Sequence, residues 1–469
     1  MKVLLTGGSG FIGRPLCVEL TKHGHDLTLI TRDPSRFQAD WGLPSRFLTW
    51  DMEKEDCPES LESFDAIIHL AGESIAGGLW TPKQKAKILK SRIETTQALG
   101  RALAKRSTPL QCFISAAAIG IYPSSETAVF DESSPAGDGF LPEVCKAWEA
   151  CVVALPKVAR EVRCRFGLVI GQGGGFLEKL LLPSRLGAGT VLGDGSQWMS
   201  WVHRDDVLGI INEALVDVRF TGVINVVAPE VITQRAFQKE LSHLLRRPLF
   251  LKVPKWTIKT IVQEFSHLVL DSQNVKNKTL QELGYVYRFP LLKDALTEAL
   301  DLREKNGRTY FCHRLEAAQF VAKPVEEVFD FFCNPHNLER ITPPLLSFKI
   351  DRISSENIGE GTVIDYKLKV HGIPMKWKTL IKKWAKNELF VDNQESGPYA
   401  IWHHTHRFFA VKGGTLMTDC VQYRLPLGML GEGVALPFVQ SDIRSIFRYR
   451  REIIRSEFGQ ADVNSSAQT

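Results

Sequence analysis

A chain of 469 residues is too long for one ordinary hydrophobic core, so two or three domains are the starting expectation. Its 44% hydrophobic and 24% charged residues are those of a soluble globular protein, and the net charge of +5 is spread thinly, with no basic arm or stripe for a nucleic-acid partner. The nine scattered cysteines contain no C-x-x-C pair and read as reduced thiols, and no apolar run approaches the roughly 18 residues of a membrane span, so a cytoplasmic protein without an integral membrane segment is expected.

The chain opens on the apolar run Val3–Leu5 and passes straight into Thr6, Gly7, Gly8, Ser9, Gly10, Phe11, Ile12 and Gly13. A strand, a glycine turn and a helix start in that order form a dinucleotide fingerprint. Gly7 permits the tight turn, Gly10 lets backbone approach a pyrophosphate, and Gly13 lets the helix pack on the sheet. The helix N-terminus then offers N–H groups and a positive dipole end to the anion. A second strand, Leu27–Ile30, leads to Thr31 and Arg32. An NAD site usually places an acid here; Arg32 instead stands where a guanidinium meets a 2′-phosphate, with Asp33 as the competing acid. NADP(H) is the expected cofactor.

Further runs at Ala66–Leu70, Cys112–Ile114 and Arg165–Ile170 alternate with helical patterns, one starting at Thr81 as N-cap with Pro82 behind it. This alternation predicts an α/β Rossmann fold, a doubly wound parallel sheet, over residues 1–230. Helical patterns near 204–218, 233–246, 255–270 and 290–304 belong to its end and to a small C-terminal lobe, 231–303. After the polar stretch Arg303–Arg308 the pattern turns strand-rich: Phe311–Val321, Thr362–Val370, Met375–Lys383, Ala400–Ala410 and Thr415–Arg424. A helix enters at Lys323 and Pro324, and an amphipathic helix near 432–458 closes the region. A sheet curled around that last helix gives an α+β domain over 311–458, followed by a disordered tail, 459–469. In the run from Trp402 to His406, His404 and His406 share one face of a strand. No carboxylate or cysteine lies nearby in sequence, so no metal site is expected. Trp377, Trp384 and Trp402 read as core aromatics.

The residues Thr6–Gly13, His69–Ser74, Phe113–Gly120, Cys145–Glu149, Arg165–Val169, Gln197–Asp206, Asn225–Pro229 and Gly284–Pro290 together resemble the extended short-chain dehydrogenases/reductases, in their atypical sugar-nucleotide-epimerase-like branch. The resemblance covers about residues 1–300. It implies cofactor contacts at Gly7, Ser9, Gly10, Phe11, Ile12, Gly13, Thr31, Arg32, Leu70, Ala71, Gly72 and Lys146. It also implies a Ser, Tyr, Lys catalytic set, in which Ser115 matches the serine at the end of the fifth strand and Lys146 the lysine of Tyr-x-x-x-Lys. Pro142 stands where the tyrosine belongs. Tyr122 is the nearest phenol, either a substitute acid/base or an aromatic packed at the base of the substrate loop. His203 and Glu149 are further titratable groups, with Glu149 expected to face solvent or to cap Lys146.

Residues 311–458 resemble the START-like, or SRPBCC, helix-grip superfamily on Ala322–Phe332, Pro335–Pro343, Gly359–Thr362, the strand Trp402–Phe409 and the final helix. That resemblance implies an apolar cavity for a hydrophobic ligand. The functional expectation is an NADP(H)-binding, epimerase-like oxidoreductase acting on an unknown small molecule and fused to a hydrophobic-ligand domain. Two alternatives stand beside it: a catalytically silent NADP(H) sensor, and a lipid carrier on a Rossmann scaffold.

Overall fold

Continuous apolar runs, rather than alternating ones, build the first sheet, because both of its faces are covered. Its strands are β1 (Lys2–Thr6), β2 (Asp26–Thr31), β3 (Ser45–Thr49), β4 (Ala66–His69), β5 (Cys112–Ala118), β6 (Glu161–Phe166) and β7 (Gly222–Val226), in the spatial order β7-β6-β5-β4-β1-β2-β3. The ladders from β7 through to β2 are parallel. Val3, Leu4, Leu5, Ala66, Ile67 and Ile68 are fully buried. Helices α1 (Gly13–Lys22), α2 (Pro82–Ala104) and α3 (Phe140–Val153) are crossovers, and Leu4, Ile67, Leu99, Phe113 and Trp148 meet in one apolar cluster. The Thr81 cap forms as expected: its Oγ1 accepts from the Gln84 N–H at 3.2 Å.

The computed structural model describes residues 1–38, 41–426 and 428–459. They fall into two units, one of Met1–Glu19, Asp26–Pro34 and Arg46–Leu300, the other of Leu20–His25, Ser35–Ser45 and the chain from Asp301 onward. Apart from Gly459, the tail expected to be disordered lies outside the described residues. Among the described residues no helix is long and apolar enough to cross a membrane, and all nine cysteines are free thiols.

Two buried polar arrangements hold the first unit in shape. At the carboxyl ends of β1 and β4, Thr6 Oγ1 lies 2.7 Å from His69 Nδ1, and His69 Nε2 lies 3.3 Å and 3.2 Å from Thr95 and Thr96 of α2. Burial, helped by the Arg92 charge, lowers the His69 pKa to about 4, so the ring is neutral. Farther along, fully buried Asp206 accepts from the backbone N–H groups of Arg288 (2.7 Å) and Phe289 (3.1 Å). His203 caps the helix Arg204–Val216 by accepting from Asp205 N–H at 3.1 Å, and its Nε2 lies 3.0 Å from Glu298. These bonds fasten the end of the small lobe. The helix expected over 290–304 is shorter, Leu292–Ala299, because Asp301 takes a left-handed φ of 49° and the chain turns into a hairpin, Leu302–Lys305 with Arg308–Phe311.

The second unit is a seven-stranded antiparallel sheet. Its elements are β8 (His313–Val321), α4 (Val325–Cys333), α5 (Pro335–Ile341), β9 (Lys349–Ile353), β10 (Val363–Val370), β11 (Ile373–Ala385), β12 (Leu389–Ser396), β13 (Ile401–Val411), β14 (Gly414–Arg424) and the long helix α6 (Gly428–Phe458). The strand order is β8-β14-β13-β12-β11-β10-β9. Val328 and Phe329 of α4, Phe390 of β12, Phe408 of β13 and Ile454 of α6 share a core. The sequence pattern does not announce β9 or β12; in β12 the inward positions Asp392 and Gln394 are polar and break the apolar alternation.

Replacing Asp206 by Ala leaves two backbone N–H groups without their acceptor, at about 1–3 kcal/mol each. The melting temperature falls, and amide exchange quickens selectively over residues 285–299. His69 carries a pH signature. Its folded pKa lies below its ordinary 6.5, so the unfolded chain takes up the proton first as pH falls. Its contribution is complete above about pH 6.5 and is lost progressively down to about pH 4. A His69→Gln variant, followed by chemical denaturation between pH 7.5 and 4.5, loses less stability over that interval than the native chain.

Candidate functional site

The carboxyl ends of β1, β2 and β4 face the crevice where parallel α/β sheets receive ligands. Gly7 takes φ +74°, and a Cβ there would sit 2.8 Å from the Leu70 carbonyl carbon and 3.0 Å from the Ala71 nitrogen. Its bare backbone lets β4 close on β1, and the Leu70 and Ala71 N–H groups both donate to Thr6 Oγ1 at 3.1 Å. A Cβ on Gly13 would overlap the Gly7 carbonyl oxygen. Gly10 differs: its N–H closes the turn onto Gly7 O at 3.0 Å, yet it is exposed, and a Cβ there would meet only that oxygen, at 3.2 Å. Ser9 beside it is also exposed, and Phe11 and Ile12 lead into α1.

The Phe11 ring turns away from the loop and packs where Gly171, Gly174 and Gly175 lack side chains, with the Arg204 guanidinium 5.6 Å from its centroid. Those glycines make room for this ring and, at Gly171, for the Arg204 side chain. A Cβ on Gly72 would lie 3.4 Å from the Arg92 guanidinium carbon, and Arg92 itself donates to the Glu73 carbonyl at 3.0 Å. Thr31 closes β2, its Oγ1 accepting from Asp33 N–H at 3.1 Å and its carbonyl from Trp50 N–H at 3.0 Å. Arg32 follows directly and is exposed, whereas Asp33 is half-buried. The glycine turn, Leu70–Gly72 and the end of β2 thus gather at one edge of the sheet. Exposed backbone at Ser9 and Gly10, beside the start of α1 and the positive end of its dipole, fits a dinucleotide phosphate.

The residues matched to catalysis do not converge in the same way. Ser115 lies within β5, which runs on to Ala118; it is fully buried opposite His69, and its Oγ bonds to the Ala116 carbonyl at 2.9 Å. It is therefore not at the strand end, as its sequence position implied. Lys146 is exposed on α3 and donates to Gly137 O at 3.1 Å. Pro142 is the third residue of α3, in the first turn, where a missing N–H breaks no intrahelical bond.

Tyr122 is buried with its ring stacked on Phe130 at 5.5 Å. Its hydroxyl donates to Asn225 Oδ1 at 2.8 Å and accepts from Arg165 at 2.7 Å. Burial raises its pKa, although Arg165 pulls the other way. This environment suits a packed structural phenol rather than a substitute acid. Glu149 is corrected more sharply. It neither faces solvent nor caps Lys146, but forms a buried bidentate pair with Arg165 at 2.7 and 2.9 Å. His203, spent on the Asp205 cap and Glu298, is likewise structural in its surroundings.

In the second unit, residues of the sheet and of α6 enclose a cavity of about 480 Å³ whose wall is mostly apolar, with Trp377, Trp384 and Trp402 among the lining. Polar lining is confined to a few groups, among them Asp392, His404, His406 and Arg450. Asp392 lies opposite His404 on the adjacent strand, and Asp419 opposite His406. Sequence reasoning paired His404 with His406 on one face but missed both carboxylates, which arrive from neighbouring strands.

The family model described as "NAD dependent epimerase/dehydratase family" matches residues 3–153, and one described as "Domain of unknown function (DUF1731)" matches residues 253–299, the lobe that Asp206 and His203 fasten. The bovine protein "Epimerase family protein SDR39U1" is 37% identical over 305 residues, which is 64% of this chain and all of that protein. The Arabidopsis thaliana "Epimerase family protein SDR39U1 homolog, chloroplastic" is 34% identical, covering 63% of this chain and 86% of the relative. Among solved structures, the human SDR39U1 protein (isoform 2) with NADPH aligns with a TM-score of 0.57 at 34% identity, over 64% of this chain and 99% of that one. The chain therefore belongs to the NAD dependent epimerase/dehydratase family, alongside the SDR39U1 epimerase family proteins, through the first of its two units.

Proposed function

We propose that the first unit binds NADP(H) at the Thr6–Gly13 loop and works as an epimerase-like oxidoreductase on a small molecule of unknown identity. In this reading the second unit, a helix-grip domain, takes a hydrophobic ligand. The observation that carries the cofactor reading is Gly10. Gly7 and Gly13 are demanded by close backbone approaches inside the fold, whereas Gly10 is exposed and barely constrained. A glycine kept bare at the mouth of a helix start is what a close-lying pyrophosphate requires. The NADPH in the human relative's structure supports the same reading. Arg32, exposed at the end of β2, is the group for the 2′-phosphate, and Leu70–Gly72 with Thr31 form the facing wall. Lys146 is the ribose contact. The bound cofactor supplies hydride chemistry; the chain supplies the anion cradle and the 2′-phosphate selectivity.

The second reading is a cofactor sensor without turnover. It is favoured by one observation, the commitment of the Tyr122 hydroxyl to Asn225 and Arg165 where a free phenol is wanted. The apolar cavity of the second unit favours a ligand there under either reading.

In a fluorescence titration of the full chain, Arg32→Asp weakens NADPH binding by roughly 10- to 100-fold, the worth of a charge-assisted hydrogen bond, and leaves NADH binding nearly unchanged. Equal NADPH affinity in both proteins removes Arg32 from the site. Tyr122→Phe tests the two readings against each other. A structural phenol gives a lower melting temperature with unaltered NADPH affinity and unaltered NADPH oxidation across a panel of carbonyls and sugar nucleotides. Selective loss of turnover in a folded variant would return Tyr122 to chemistry.

A further inference from the structure

The polar wall of the second unit's cavity is built by strand register. His404 lies opposite Asp392, and His406 opposite Asp419, across β12, β13 and β14. Each imidazole turns one nitrogen towards Asp392 and the other towards Asp419. His406 Nε2 and His404 Nδ1 stand 3.1 Å and 3.6 Å from Asp392 Oδ2. His406 Nδ1 and His404 Nε2 stand 2.8 Å and 3.0 Å from Asp419 Oδ1, and Arg450 lies 3.5 Å behind that same oxygen. Asp392, His404 and His406 line the cavity, with Asp419 behind them.

We propose that Asp392, His404 and His406 form a three-ligand site for a divalent transition-metal ion of the zinc class, with Asp419 positioning both imidazoles and the fourth coordination place open to the cavity. The spacing fits. Metal–ligand bonds of about 2.0–2.1 Å place the ligand atoms of a tetrahedron roughly 3.3 Å apart. The two distances to Asp392 bracket that value, and one donor atom from each of the three residues lies within 4.8 Å of the others. The 3.6 Å pair is too long for a hydrogen bond yet right for a coordination edge.

Asp419 supplies the complementary feature, a carboxylate that accepts from the far N–H of each metal-binding histidine and so fixes the tautomer. His406 Nε2 is within hydrogen-bond distance of Asp392 Oδ2, and an ion entering there takes the place of the proton that this nitrogen shares with the carboxylate, while Arg450 lies 3.4 Å from His406 Nδ1 on the far side. Three protein ligands with one open place belong to working rather than structural zinc centres. The cavity ligand would then be an apolar body that presents one oxygen, such as a carbonyl, hydroxyl or carboxylate, to the ion.

The test uses the untagged full chain, stripped with chelator and titrated with Zn²⁺ against a chromophoric chelator, then with Co²⁺ as a spectroscopic probe. The expected result is one equivalent bound, a raised melting temperature, and visible cobalt bands of four- or five-coordinate intensity. Asp392→Asn and His404→Gln abolish the bands, and Asp419→Asn keeps the stoichiometry while weakening affinity by roughly 10- to 100-fold. Less than one equivalent bound by the native chain, cobalt spectra of a hexa-aqua ion, or binding unchanged in folded Asp392→Asn and His404→Gln proteins overturns the proposal. The native-chain spectra decide the matter even where a variant fails to fold.

Discussion

The carboxyl ends of β1 and β4 meet at a distance only bare backbone allows, and the first unit's crevice depends on that approach. Gly7 at φ +74° lets Leu70 and Ala71 come in, Thr6 Oγ1 receives both of their N–H groups, and neutral His69 ties the junction to α2. Gly13 brings the start of α1 onto the Gly7 carbonyl. The fingerprint therefore has two physical layers. Gly7 and Gly13 answer to packing within the chain and would be needed with no ligand at all. Gly10 answers to very little inside the chain, so it bears the weight of the cofactor reading. Spacing alone, as read in the sequence, assigns the three glycines different jobs without showing which the fold itself enforces.

A second polar arrangement holds the unit together beside α3. Pro142 lies in the first turn of that helix, where proline costs the helix nothing. Tyr122, Arg165, Glu149 and Asn225 are joined in one buried network. Removing a single partner from a buried ion pair typically costs about 3–5 kcal/mol, because the survivor stays charged and unpaired. Tyr122 accepts from the Arg165 guanidinium of such a pair, which gives the phenol a part that has nothing to do with proton transfer.

What could be read from the sequence followed local rules. The glycine loop, the Thr81 cap and the strands β1, β2, β4 and β5 were legible because continuous apolar runs and cap residues are short-range signals, whereas the run Arg165–Ile170 straddles the end of β6 and a separate short strand, Leu168–Ile170. What escaped depended on residues far apart in sequence. Glu149 looked like a solvent-facing charge on a helix until Arg165 came across from β6. Asp206 was visible only as the end of the Gln197–Asp206 block, with no sign that it holds the backbone of residues 288 and 289. Gly174 and Gly175 lie against the Phe11 ring, and Gly171 against Arg204 and that ring, contacts that no local pattern announces. β12 was missed because its inward positions are Asp392 and Gln394, polar where the pattern wants apolar. That same departure conceals the carboxylate nearest His404 and His406.

The miss at β12 is instructive about the second unit. Antiparallel strands with one covered face normally alternate apolar inward and polar outward, and β13 and β14 break that rule at the same level of the sheet, with His404, His406 and Asp419 inward. Stability does not call for this. Buried charged clusters can commonly be replaced by apolar groups of similar volume with no loss, and often with a gain. Here the surrounding wall is aromatic and aliphatic, so an all-apolar core was sterically within reach. The polar groups are also not scattered: register brings four of them, from three adjacent strands, to one spot, and α6 adds Arg450 behind it. Asp419 is held well below the usual carboxylate range, since Arg450 and the two histidines outweigh the cost of its burial. A fixed anion behind two imidazoles, with a second carboxyl in front at the edge of an apolar cavity, has a direction to it. The direction points into the cavity, and among the described residues its charged lining, Arg450 included, gathers at that place.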